Sequence, residues 1–214
     1  MTFVRYASWI TGFLLASLYP ALLRCQQRAE RPIETSICVL QKEPQAWNHK
    51  LVRVNGYATH GYEESSLVDP TCNSYVQGTP IWMEYGGLFS TGTTYFGGGA
   101  NTRLRAKPLS VEGILLPLAD DANFKQLDSI LQSPPDTRGV TIVRVTVQGH
   151  FFAGVEHKGE HDRGYGHFGC CTLFVIEKVD QVAEHELNPK EVEKLSAAFH
   201  LPPPAPPIPK GRKQ

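Results

Sequence analysis

The sequence predicts a mainly β fold: a small sheet of five or six strands that coils on itself, with one inserted helix and a C-terminal helix. The first reason is Val140–Phe152, VTIVRVTVQGHFF, where Val143, Val145, Val147, Gly149 and Phe151 alternate with Arg144, Thr146, Gln148 and His150. A period of two turns successive side chains to opposite faces and marks a strand with one buried side. The second is residues 171–182, CTLFVIEKVDQV, dense in β-branched and aromatic residues. The third is an echo: Val145-Thr-Val147-Gln-Gly149 repeats Val52-Arg-Val54-Asn-Gly56, so two comparable strands each carry a glycine at the place where a sheet bends or bulges.

The chain begins with Arg5 and an uncharged run over 7–23, ASWITGFLLASLYPALL, followed by Arg24 and Arg28. A cation, an apolar run and new cations read as a signal peptide or an N-terminal membrane anchor over residues 1–24. The run is near the lower limit of about 17 residues for a spanning helix, and Pro20 weakens its last turn, which argues for a cleaved signal. No small-x-small cleavage site follows, which argues for an anchor. Cys25 sits where the acylated cysteine of a bacterial lipoprotein would sit, although Leu22, Leu23 and Arg24 suit that signal peptidase poorly. The expected location is outside the cytoplasm: periplasmic, secreted or membrane-anchored through residues 7–23.

Residues 25–35, polar with Pro32, form a linker, and the β-domain spans 36–182. Residues 37–47, with Pro44 as a breaker, read as a short helical turn or an irregular segment leading to the first strand. Strands follow at 51–60, at 65–68 up to Asp69-Pro70, and at 80–85. The stretch 86–107, GGLFSTGTTYFGGGANTRLRAK, reads as a long inserted loop. Its Gly97-Gly98-Gly99 lacks the Lys-Ser/Thr of a phosphate loop and is expected to confer flexibility. Residues 109–116 resume as a strand with Val111, Gly113 and Leu115 on one side. Asp120 or Asp121 caps a helix over 122–132, in which Phe124, Leu127 and Leu131 recur at helical spacing and Pro134 follows the end. A C-terminal helix within 183–200 presents Val192, Leu195 and Phe199 on one face. The tail, 201–214, is Pro-rich, basic and disordered.

Strands near 51–60, 65–68 and 80–85 with 109–116, then a helix, then strands near 140–152 and 171–182, resemble the order of the OB-fold. That fold is a five-stranded Greek-key barrel with a helix between its third and fourth strands. Gly56 and Gly149 add to the likeness, since such barrels coil strongly there. The resemblance implies a fold and no specific activity; members often bind oligonucleotides or oligosaccharides.

Lys+Arg and Asp+Glu both number 21, so nothing draws the chain toward nucleic acid. In an oxidising compartment Cys38, Cys72, Cys170 and Cys171 are expected to form one or two disulfides. Adjacent cysteines face opposite sides of a strand, so Cys170 and Cys171 are expected to pair with Cys38 or Cys72 and not with each other. A polar loop holds His150, Glu156, His157, Glu160, His161, Asp162 and His167, with His60 at the end of an earlier strand. His157, His161 and His167 are the candidate metal ligands, for zinc or copper, although the glycines among them favour a solvated loop. The serines lie in no Gly-x-Ser-x-Gly setting, so no catalytic residue is assigned. The functional expectation is a non-enzymatic binding or interaction module of the cell envelope, without a cofactor. Its partner is an envelope protein or ligand, and the loop at 154–169 is its working surface. The alternative is a metal-dependent envelope protein using the histidine loop.

Residues 1–35 fused to a reporter active only outside the cytoplasm are expected to confer activity. A stable, silent, cytoplasmic fusion would refute export.

Overall fold

The computed structural model describes residues 30–61, 64–72, 80–93, 103–133, 140–154, 164–166 and 169–183. The leader expected at 1–24, the helix expected within 183–200, the Pro-rich tail and His157, His161 and His167 lie outside the described residues. The chain divides into Met1–Arg31 and Pro32–Gln214, and the second unit carries the fold.

Its elements in order are β1 (Ile33–Glu34), α1 (Ile37–Lys42), α2 (Pro44–Trp47), β2 (Leu51–Gly61), β3 (Ser65–Val68), β4 (Ile81–Tyr85), β5 (Ser110–Val111), β6 (Ile114–Leu115), α3 (Ala122–Leu131), β7 (Val140–Phe152) and β8 (Thr172–Ala183). β2 runs antiparallel to β3 and β3 to β4; β4 lies parallel to β8; β8 runs antiparallel to β7. β7 then pairs with β2 from Leu51 opposite His150 to Gly61 opposite Val140, which turns the five strands into a ring-like sheet. β1 adds a short parallel strand beside β2. Among the described residues no helix is long and apolar enough to cross a membrane.

Alternation sorts the side chains. Val52, Val54, Ala58, Leu67, Ile81, Met83, Tyr85, Val145, Val147, Phe151, Phe174 and Ile176 belong to one core, closed by Ile37 and Leu40 of α1 and by Phe124, Leu127 and Leu131 of α3. Ser36 caps α1 by accepting from the Val39 N–H (3.3 Å), and Asp121 caps α3 by accepting from Phe124 (2.9 Å). On the outer face of β2, β7 and β8, Arg53 stands opposite Gln148 and Gln148 opposite Lys178, and all three donate to Asp180. Burial would raise the Asp180 carboxyl, but the bonds from Gln148, Lys178 and Arg53 outweigh it and hold the pKa at about 2.

Residues 109–116 do not form one strand. The chain reverses at Glu112 and Gly113, both at positive φ, and β5 and β6 make a separate two-stranded hairpin. The third strand of the ring is β4 alone. Leu109, Val111 and Leu116 pack over the outer face of the ring against Trp82, Phe152, Leu173 and Val175, the residues that alternate with those of the main core. The 86–107 insertion is anchored at both ends: Phe89 pairs with Leu104, and the segments about them sit on a buried ionic network at Glu84. The three glycines lie outside the described residues.

The cysteine pairing also departs from expectation. Cys38 of α1 is bonded to Cys72 beyond β3, and Cys170 is bonded to Cys171. Cys170 and Cys171 escape strand alternation because β8 begins only at Thr172; Gly169, at φ +70, turns the chain before it.

Gly149 sits at a register shift between β7 and β8, where a Cβ would lie 1.9 Å from the Val175 carbonyl oxygen and 2.8 Å from the Phe174 ring. Gly149→Ala is therefore expected to destabilise the domain by about 1–3 kcal/mol, the usual cost of overpacking, read as a lowered midpoint in denaturant. An unchanged midpoint would show that the ladder has slack there.

Candidate functional site

The ends of β7 and β8, the turn before β2 and the tip of the hairpin collect the groups with the most chemical capacity. His150 lies near the end of β7, just before Phe151 and Phe152, and its Nδ1 meets the Glu177 carboxylate of β8. Both are largely buried, at 14% and 12% side-chain exposure. His49 is placed by the α2–β2 connection, where its N–H donates to the Phe151 carbonyl (2.8 Å) and Lys50 bonds Phe151 in return. Its Nε2 lies 2.5 Å from Glu112 Oε2, while the Tyr165 hydroxyl donates to Glu112 Oε1.

Both His49 (φ +62) and Glu112 (φ +50) occupy the left-handed region, which side-chain-bearing residues rarely adopt. The tight hairpin turn demands that conformation of Glu112, and it aims the carboxylate back at His49. Three rings surround Phe152: His49 at 5.6 Å, Tyr165 at 6.3 Å and His150 at 6.4 Å between centroids. Phe152 itself is fully buried, so the surface of the site is made by the imidazoles and carboxylates. Burial would raise the Glu112 carboxyl, yet the hydrogen bonds from Tyr165 and His49 outweigh it and hold the group below its ordinary value.

Tyr165 pairs with Cys171 through backbone bonds in both directions, 2.7 and 3.0 Å, so the Cys170–Cys171 bond borders this site. Gly154 and Gly164, which bracket the stretch carrying His157 and His161, come together at its base: a Cβ on Gly154 would lie 3.6 Å from the Gly164 Cα. The histidine-bearing stretch therefore starts and finishes beside Tyr165.

His60 and His150 are not brought together. Register places them at opposite ends of the β2–β7 ladder, and His60 bonds the Thr91 carbonyl oxygen (2.9 Å). Burial holds its imidazole below the ordinary value. Thr91 belongs to the second polar centre. Glu84, fully buried, accepts from the N–H groups of Tyr85 and Thr91 (2.8 Å each) and lies 3.1 Å from Arg105 Nη2. Arg103 reaches the Ser90 carbonyl and Asp128 of α3. Burial raises the Glu84 carboxyl despite Arg105. This network fastens the described ends of the insertion to the ring, with Glu84 fully buried at its centre.

Comparison with known proteins finds no matching family model, no matching curated protein and no matching solved structure. The site's chemistry rests on its own geometry.

The sequence grouped His150 with the polar loop, whereas it stands within β7 opposite Val175, and His49, Glu112 and Glu177 were missed. Glu112-Gly113 did carry a turn signal, read there as part of a strand. Glu84 was equally visible as the one charge within IWMEY.

Glu112 acts as a latch, joining the hairpin to the turn before β2 and to Tyr165. Glu112→Ala is expected to speed amide exchange across 109–116 by roughly tenfold, the equivalent of about 1.4 kcal/mol and near the range for hydrogen bonds to charged groups. Because the folded pKa lies below the ordinary 4.5, the latch contributes fully above about that pH and is lost as pH falls through the folded value. Exchange that ignores both the substitution and acid would show that apolar packing alone holds the hairpin.

Proposed function

We propose that the protein is an exported envelope protein whose β-domain has the OB-like Greek-key arrangement and works as a binding module. The strand pairings support the fold reading: first with second, second with third, third parallel to last, last with fourth, and fourth back to first, with α3 between the third and fourth. The observation that carries the function is the gathering of the His49–Glu112 and His150–Glu177 pairs around Phe152, at the base of the stretch that bears His157 and His161. The strands are committed to the core, whereas this end presents donors and acceptors held by backbone and aromatic packing. The neighbouring cysteines are bonded to each other, which withdraws the thiolate a cysteine nucleophile requires. The bond between Cys38 and Cys72 agrees with an oxidising compartment.

A second reading makes the site a zinc or copper centre through His157, His161 and His167, favoured by the position of Gly154 and Gly164 beside Tyr165. Two measurements separate the readings. A photo-crosslinking residue at position 49 of the full-length chain, produced in the envelope, is expected to capture a discrete partner. The same residue at Lys125 on α3 should not. Equal capture at both positions, or none at 49, would refute the binding site. Metal analysis of the chain purified without chelators decides the alternative: stoichiometric zinc or copper, lost when His157, His161 and His167 are replaced together by alanine, would establish the metal centre.

A further inference from the structure

We infer that Cys38, Cys72 and Asp69 form a redox-gated zinc site, closed while the two sulfurs are bonded to each other and opened by a dithiol reductant. The ligand atoms of these three residues lie within 4.8 Å of one another, and all three residues are half-buried. Two thiolates and one carboxylate make a zinc donor set, soft enough to prefer zinc over magnesium or calcium. The Cys38 and Cys72 Cα atoms are 5.5 Å apart and come from separate segments, α1 and the turn after β3, so modest side-chain rotation can separate the sulfurs. With Zn–S of about 2.3 Å and Zn–O of about 2.0–2.2 Å, neighbouring tetrahedral ligands stand roughly 3.5–3.8 Å apart.

Gln41 supplies the independent observation. It is 6% exposed, and its Oε1 lies 3.4 Å from Cys72 Sγ while its Nε2 has no hydrogen-bond partner among the described residues. A bonded disulfide sulfur carries no hydrogen, so the contact at Oε1 is not a hydrogen bond in the oxidised protein. Neither end of a buried amide is then satisfied among the described residues, an arrangement that costs stability and calls for a cause. Reduction supplies one for the acceptor end. A Cys72 thiol donates to Oε1, and with zinc bound the same oxygen stands at ligand–ligand distance from the sulfur and completes a fourth position. Other oxygens also face the sulfurs: the Asp69 carbonyl at 3.4 Å from Cys72 Sγ and Thr71 Oγ1 at 3.7 Å from Cys38 Sγ. Thr71 also holds the Asp69 carboxylate in place, donating through its N–H (2.9 Å) and hydroxyl (2.7 Å).

The chemistry balances with the reductant as a dithiol. One of its thiolates attacks a cysteine sulfur, the Cys38–Cys72 bond breaks and a mixed disulfide forms. The second thiol displaces the protein, and the reductant leaves as its own disulfide, having passed two electrons and two protons. Zinc binding releases those two protons, so affinity rises with pH.

The test uses the full-length chain carrying Cys170→Ser and Cys171→Ser, which removes the other pair. The protein is reduced with a dithiol, desalted without oxygen, and titrated with zinc against a chromophoric chelator and with cobalt(II) as a spectroscopic probe. The reduced chain is expected to bind one equivalent, with thiolate-to-cobalt charge transfer and intense tetrahedral d–d bands, and the oxidised chain none. Asp69→Asn, which leaves the disulfide intact, should weaken zinc by about tenfold or more, since even groups outside the ligand set commonly cost that much. Adding Cys38→Ser and Cys72→Ser should abolish the charge-transfer band. Equal zinc binding by oxidised and reduced chains, affinity indifferent to Asp69→Asn, or a reduced chain that unfolds and does not refold with zinc would each overturn the proposal.

Discussion

The ladder between β2 and β7 is the constraint on which the rest of the molecule depends. Without it the other pairings make an open strip from β2 to β7, with two long unpaired edges. With it each of these strands gains its second neighbour, and the core side chains of all five ring strands meet. The ladder closes because glycine stands at a crowded point on each strand. Gly56, opposite Val145, lies where a Cβ would meet Ile37 of α1 at 2.2 Å; Gly149, opposite Val52, lies against the backbone of β8. Curvature in one direction brings α1 close to the sheet, and in the other brings β7 close to β8.

The outer face of β4 and β8 is used as fully as the inner one. Alternate residues pack under the β5–β6 hairpin, and Glu84 takes its place in an ionic layer under the ends of the 86–107 insertion. A buried ion pair such as Glu84–Arg105 adds little stability compared with apolar groups of similar size. Its value lies in position: one oxygen of the carboxylate accepts from the Tyr85 and Thr91 N–H groups and the other from the Ser90 and Thr91 hydroxyls, and Arg103, bonded to the Ser90 carbonyl, carries that arrangement across to α3. The hairpin that covers the neighbouring apolar surface is thereby delivered to one place, with Glu112 within reach of His49 and Tyr165.

The parts of this design set by periodicity were legible in the sequence. The alternation in Val140–Phe152 and the helical spacing of Phe124, Leu127 and Leu131 report directly which side is buried, and the glycine echo marked the two bends. What escaped depended on contacts between distant segments. Whether Cys170 meets Cys171 or Cys72 is decided by where β8 starts, and a one-residue difference there changes which face each cysteine takes. His49 carried no signal in the sequence because its significance comes from Glu112 and Phe152, far along the chain. The strand reading of 109–116 failed for a local reason: in so short a segment, alternation around Glu112-Gly113 fits a continuous strand and a tight turn equally well.

The meeting of Gly154 with Gly164 has a consequence for how this protein can vary. A segment whose two ends are already held side by side by the fold is uncoupled from it in length. Each doubling of such a loop adds only about 0.6 kcal/mol of closure entropy, which leaves the ring almost untouched. The span between these glycines is thus a natural grafting position, where a foreign peptide or a small inserted domain can replace the native stretch and be displayed beside the His–Glu pairs.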